Sequence, residues 1–441
     1  MHKHLISINL ATLIQLPALQ FLLDLEPSFY RYAFILLFMT FFIPYKAPKV
    51  NIDRGLLFYL IMILSLFVML LTSIIWTISV DAWKKQALSL TYIIVLLIVV
   101  SQLVSPKTIG LFFRYLTFYA VCISSYALWA GDALTWRLIS GFDNDLFGSS
   151  YGVVAHSLAL GFITSVAHVC GAPNHRLLWL GISIVLSIGI GLTGHRGSLI
   201  FPGLIVLGFG FLTFRFQTFD KLLIRPELMR RYLLLIIPLC GLMMWGALRV
   251  ERTHARLMRM VDVVRELEEG GRGSLMTNAW HHIREKPLIG YGLGSHGLKS
   301  GSREDTHPHN MFLQIWLDAG IAAVILLAII IVWPLMKAIS VLRSNPPDHI
   351  LLSVTGIYVF LVLQYSKSGD FYLSRELFLI GLLLLVTFTA RVPDSYGHSR
   401  IAHYPYRISI KRSISILEPH DTSKKTYSKK SDINAYPNNF Q

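Results

Sequence analysis

The stretch GLLFYLIMILSLFVMLLTSIIWTI, residues 55–78, runs for 24 positions without a charged side chain. An α-helix rises 1.5 Å per residue, so about 20 mostly apolar residues cross the roughly 30 Å hydrocarbon core of a bilayer. Outward from it, similar runs recur over residues 5–23, 29–45, 86–104, 108–130, 150–171, 177–193, 197–214, 231–249, 311–336, 349–366 and 373–390. Together they predict an all-α integral membrane protein of about 12 transmembrane helices with one long helical periplasmic loop. Pro17 interrupts the first run, and if that run does not span, the N-terminus lies on the outer side. The segment after it, Leu23-Asp-Leu-Glu-Pro-Ser28, lacks a small-residue cleavage site, so a retained helix is expected rather than a signal peptide.

Composition supports that reading and excludes others. The chain has 441 residues, of which 54% are hydrophobic and 15% charged, with a mean hydropathy of +0.55, too apolar for a soluble globular protein. Cys122, Cys170 and Cys240 all fall inside apolar stretches, so neither a disulfide framework nor a thiolate zinc site follows. The net charge of +15 is spread over loops, which points to membrane topology and not to nucleic acid.

Lys46, Lys49 and Arg54, Lys107, Arg176, the group Arg215, Lys221, Arg225, Arg230 and Arg231, and then Lys337 and Arg343 follow the even-numbered spans. The positive-inside rule makes those breaks cytoplasmic, with Lys84-Lys85 dissenting. The expected organisation is therefore transmembrane helices one to nine over 1–249, a periplasmic loop over 250–310, helices ten to twelve over 311–390, and a basic, disordered cytoplasmic tail over 391–441 beside anionic lipid.

The long loop holds the polar residues of interest. Residues 251–269 are good helix formers, and Gly270-Gly271 stops them. Arg249, Arg252, Arg256 and Arg259 are spaced by three, four and three, which aligns them on one face. Such a stripe suits an anionic ligand or the headgroup boundary equally. Arg272 follows, then a short helical piece with Trp280, His281 and His282, and then a tight turn through Gly290-Tyr-Gly-Leu-Gly294, whose glycine spacing does not match a dinucleotide fingerprint. The loop closes with Thr306-His-Pro-His-Asn310 directly before an apolar run, so His309 or Asn310 caps the next helix. Arg196, in Thr193-Gly-His-Arg-Gly-Ser198, either snorkels to headgroups or, beside Gly194 and Gly197, forms an anion site. The histidines lack thiolates or well-spaced carboxylates, so no metal is assigned to them.

At these residues the chain resembles the O-antigen ligase superfamily of integral membrane glycosyltransferases, which includes polymerases and protein O-oligosaccharyltransferases. The resemblance rests on Thr193-Gly-His-Arg-Gly197, Arg272 with Trp280, Pro287 leading into Gly290–Gly294, and His307-Pro-His-Asn-Met-Phe-Leu-Gln-Ile-Trp-Leu-Asp-Ala-Gly320, with Ser73–Asp81 a lesser similarity. It departs at Asp318, where members usually have Glu, and at His195, where they have a small residue.

The resemblance implies transfer of a glycan from undecaprenyl diphosphate to a hydroxyl, on lipid A–core in a ligase, with inversion and without a metal or other cofactor. In that reading His309 is the general base, and Arg196 and Arg272 steady the leaving diphosphate. Arg252, Arg256, Arg259, Asn310 and Asp370 contact substrate, and the site faces the periplasm of a bacterial inner membrane. Physically, guanidinium groups stay charged and bind phosphate oxygens in pairs, and an imidazole is neutral near pH 7. The alternatives are a divalent cation at Asp143-Asn-Asp145, a polymerase using the same donor, a 12-helix transporter, and a purely structural membrane protein.

Overall fold

The computed structural model describes residues 2–22, 54–140, 150–171, 175–213, 226–249, 271–299, 307–344, 348–368 and 370–389, all within one compact unit, Met1–Val392. The expected span 29–45, the arginine-striped segment 251–269 with Arg252, Arg256 and Arg259, the Asp143–Asp145 pair and the basic tail lie outside the described residues.

Among the described residues every regular element is helical: α1 (His2–Leu22), α2 (Arg54–Thr72), α3 (Val80–Leu103), α4 (Pro106–Ser140), α5 (Ser150–Gly171), α6 (Arg176–Thr193), α7 (Arg196–Thr213), α8 (Pro226–Arg249), α9 (Gly271–Glu285), α10 (His296–Lys299), α11 (Met311–Ala319), α12 (Ile321–Ser344), α13 (His349–Ser368) and α14 (Arg375–Thr389), with 3-10 turns at Ser73–Ile75 and Phe371–Leu373. Seven of the described helices are long and apolar enough to cross a membrane, against an expectation of about 12; α7 and α8 hold shorter apolar stretches.

The outer surface of these helices makes the case for lipid. On α2, Leu56, Tyr59, Ile63, Leu66, Phe67 and Leu70 are buried, while Leu57, Ile61, Leu64 and Val68, spaced by four, three and four, are about half exposed. A helix apolar on both faces has no face for water, and that outward stripe belongs against hydrocarbon. The chain is thus a multi-pass membrane protein. Inside, α1 packs on α4, α5 on α6, α6 on α8, and α13 against α5, α7 and α14, around a core that includes Phe112, Phe113, Phe162 and Phe360. Where α6 crosses α8, a Cβ on Gly191 would lie 2.4 Å from the Met243 carbonyl oxygen, the close backbone approach that small residues permit between membrane helices.

The expected continuous span 311–336 is corrected. Gly320, at φ +80°, separates the short helix α11 from the spanning helix α12, and a Cβ there would sit 1.9 Å from the Leu288 carbonyl oxygen. The chain must bend at this point to let the glycine turn dock. The fifth expected run, 108–130, is also longer than anticipated, continuing as α4 to Ser140.

Candidate functional site

The residues around α11 assemble by hydrogen bonds that the motif spacing does not reveal. Asn310, in extended backbone, caps α11 by accepting from Phe312 N at 3.0 Å and Leu313 N at 3.1 Å, satisfying two amides that lack helical partners. Asn310 is therefore the cap, and His309 is left to face elsewhere. Its backbone adopts φ +54°, left-handed for a non-glycine residue, and its ring lies edge-on to His307 with centroids 4.4 Å apart. Left-handed backbone costs such a residue about 1–2 kcal/mol, so the surrounding chain holds it there.

At the other end of α11, the turn Gly290–Gly294 is clamped from two sides. Leu317 O accepts from Tyr291 N at 2.8 Å, and Asp318 O accepts from Gly292 N at 2.9 Å. Opposite, Ser73 Oγ accepts from Leu293 N at 3.1 Å, and Tyr291 O accepts from Ile78 N at 3.3 Å. Gly292, at φ +92°, has Thr77 Cα 2.5 Å from where its Cβ would lie. The glycines are therefore a docking device between α11 and the Ser73–Ser79 segment, and not a phosphate loop.

Asp318 is the polar centre of that clamp. It is 1% exposed, and its carboxylate accepts from Ser295 Oγ at 3.1 Å, from the Tyr372 hydroxyl, and from the backbone of Gly294 and Ser295. It precedes the spanning segment, which begins at Ile321. Burial outweighs these bonds and pushes its carboxyl up to about 7.

One turn earlier, Gln314 Oε1 accepts from Phe371 N at 2.8 Å and Gln314 Nε2 donates to Asp370 Oδ1 at 2.8 Å. Asp370 Oδ1 also accepts from Tyr372 N at 3.0 Å, capping the 3-10 turn. The described contacts thus give Asp370 a fixed place under α11.

Arg196 opens α7 and is half-buried. The preceding Gly194 is left-handed, and His195 Nδ1 accepts from Ser198 N at 3.2 Å, so the imidazole caps α7 where a small residue was the family's habit. A Cβ on Gly197 would meet Gln364 Oε1 of α13 at 2.6 Å, which packs this turn against α13. Asp370, two residues beyond the end of α13, is held by α11. α13 itself packs on both α7 and α11, and so connects the helix that Arg196 opens to the one that Asn310 caps. Arg272 sits in the first turn of α9, whose Ala279 and Ile283 are buried, with α9 packed on α11.

Several site residues carried no sequence signal. His296 is 3% exposed, neither ring nitrogen has a hydrogen-bond partner among the described residues, and burial lowers it to about 4, so it is neutral. Gln314, Tyr372 and Ser295 likewise become visible only through their partners. The expectation that no well-spaced carboxylate accompanies the loop histidines is corrected for Glu285: His281 Nδ1 lies 3.3 Å from its Oε1 and His282 Nδ1 lies 3.5 Å from its Oε2. Glu285 also accepts from the Tyr291 hydroxyl, which is the main reason its carboxyl is held below the usual range.

Residues 181–328 match the family model described as O-antigen ligase, a third of the chain that includes the Arg196 turn, α9, the glycine turn and all of α11. No curated protein sequence matches the chain.

Proposed function

From the premise that this chain belongs to the O-antigen ligase superfamily, we propose that it moves a glycan from undecaprenyl diphosphate to a sugar hydroxyl of lipid A–core, at the periplasmic face of a bacterial inner membrane. The observation that supports this reading best is the packing of α13 on both α7, where Gly197 beside Arg196 meets Gln364, and α11, whose Gln314 holds Asp370 just past the end of α13.

The chemistry follows from the residue types. The acceptor hydroxyl gives its proton to His309 as its oxygen bonds to the anomeric carbon, and the bond from that carbon to the diphosphate oxygen breaks. Attack opposite the leaving group inverts the centre. Negative charge grows on the diphosphate, and Arg196 and Arg272 meet it with paired hydrogen bonds, with Arg252, Arg256 and Arg259 as further donors along the lipid-linked phosphates. Asn310 fixes the direction of the histidine segment, and Asp370 stands near the acceptor.

The experiment uses purified enzyme with undecaprenyl-diphosphate-linked glycan and lipid A–core. Arg272→Lys is expected to slow transfer by roughly tenfold to a hundredfold, because an ammonium cannot reproduce the two-pronged contact. Excess EDTA should leave turnover intact. Loss of turnover that magnesium restores defeats the arginine mechanism, and products longer than one transferred unit would instead identify a polymerase.

A further inference from the structure

The end of α9 has a spacing that hydrogen bonding alone explains poorly. His281, His282 and Glu285 stand at positions i, i+1 and i+4, so both imidazoles flank the glutamate one turn on. Each presents Nδ1 to a different carboxylate oxygen, at 3.3 Å and 3.5 Å. His282 Nδ1 is buried there, yet makes no hydrogen bond. One ligand atom from each of the three side chains lies within 4.8 Å of the others.

Two ligands on a tetrahedral zinc ion, at about 2.0–2.1 Å each, stand about 3.3–3.4 Å apart. The His281–Glu285 separation matches that value and the His282–Glu285 separation, to the other oxygen, is slightly longer; both exceed the usual length of a charge-assisted N–H···O bond, about 2.7–2.9 Å. Two imidazoles and one carboxylate suit a borderline ion such as Zn²⁺, and disfavour Mg²⁺ or Ca²⁺, which take oxygen ligands. The Glu285 carboxylate accepts from the Tyr291 hydroxyl. That hydroxyl also fixes the orientation of the ligand, as carboxylate ligands are commonly fixed by a neighbouring donor. Of the neighbouring cations on the same stretch, Lys286 lies over the Tyr291 ring at 4.8 Å and Arg284 lies over Trp280 at 5.6 Å.

We propose that His281, His282 and Glu285 form a site for a divalent transition ion of the zinc class, which fastens the C-terminal end of α9 to the glycine turn through the Glu285–Tyr291 contact. The fourth position is taken by water. The ion is structural: it adds thermal stability at the end of α9 and takes no part in the transfer, so turnover persists when EDTA removes it.

The test uses full-length, tag-free protein in detergent, stripped with EDTA and titrated with ZnCl₂ by calorimetry, with bound metal counted by mass spectrometry after dialysis. One zinc per chain is expected. The double variant His281→Ala/His282→Ala should weaken binding at least a hundredfold, whereas His307→Ala should leave it unchanged. Glu285→Gln, which keeps size and shape, should weaken it by tenfold or more and covers the case in which the double variant folds poorly. Zinc should raise the melting temperature of the wild type and not of Glu285→Gln. Absence of stoichiometric zinc, or equal uptake by Glu285→Gln, overturns the site. The result is independent of the glycosyl-transfer reading, since binding and melting are measured without donor or acceptor.

Discussion

At its C-terminal end α11 surrounds Asp318 with four donors, two hydroxyls and two backbone amides. At its N-terminal end, nine residues earlier, His309 sits in left-handed backbone, and close by His296 is buried with both ring nitrogens unpartnered among the described residues. Folding chemistry is complete at one end and left over at the other. Satisfied buried polar groups specify a structure, whereas strained or unsatisfied ones persist where a ligand completes them. The same short helix thus has an end built for stability and an end suited to chemistry.

The largest effect that separates the ends is expected from His309→Ala. If the imidazole takes the acceptor proton, transfer should fall by about 10²–10⁴-fold. Melting in detergent should fall far less than transfer does, because the substitution removes the imidazole and leaves the left-handed backbone as it is. An active variant, or one that melts early, moves His309 to the structural side of the comparison.

Asp318→Ala should do the reverse, removing the acceptor of four hydrogen bonds and destabilising the fold by roughly 2–5 kcal/mol. Its titration gives a second handle. The carboxyl holds its proton up to about 7 in the folded protein against 3.8 ordinarily, so the folded state binds the proton more tightly than the unfolded state. Stability should therefore fall as pH rises from about 4 to about 7 and level off above. Asp318→Asn should flatten that slope, and a slope retained in the variant assigns it to another group.

Gly292→Ala tests the clamp itself. The new methyl has φ +92° to tolerate and Thr77 Cα 2.5 Å away, so a loss of about 1–3 kcal/mol is expected, read by thermal melting. Asn310→Ala should cost least, about 1 kcal/mol, since water can replace the cap at this half-buried position. If transfer falls far more than that stability change implies, the cap is positioning His309 as well as ending the helix.

Much of this was legible in the chain. Apolar runs disclosed the helices, because hydrocarbon demands about 20 residues without charge whatever the neighbours are. The cap at residues 309–310 was legible because Pro308 and Asn310 act locally, although only the structure chose Asn310. The break at Gly320 was not legible: the run 311–336 is mostly apolar apart from Gln314 and Asp318, and the need for glycine arises from Leu288, thirty-two residues away. Glu285 was overlooked beside His281 and His282 although its i+3 and i+4 spacing is readable in the chain, because the loop's carboxylates were not placed on the same helix as the histidines.

The sequence alone determined that this protein lives in a membrane as helices and that Arg196, Arg272 and His309 fall within residues 181–328, the stretch that matches the O-antigen ligase family model. Those properties depend on residue type and short-range spacing, which the chain carries in itself. Only the tertiary structure decided that three glycines dock a turn between α11 and Ser73–Ser79, that Asp318 is held by Ser295 and Tyr372, and that α13 joins the Arg196 turn to α11. These are meetings of residues far apart in sequence, and burial fixes them: a polar group withdrawn from water must find its partner wherever the packing brings one.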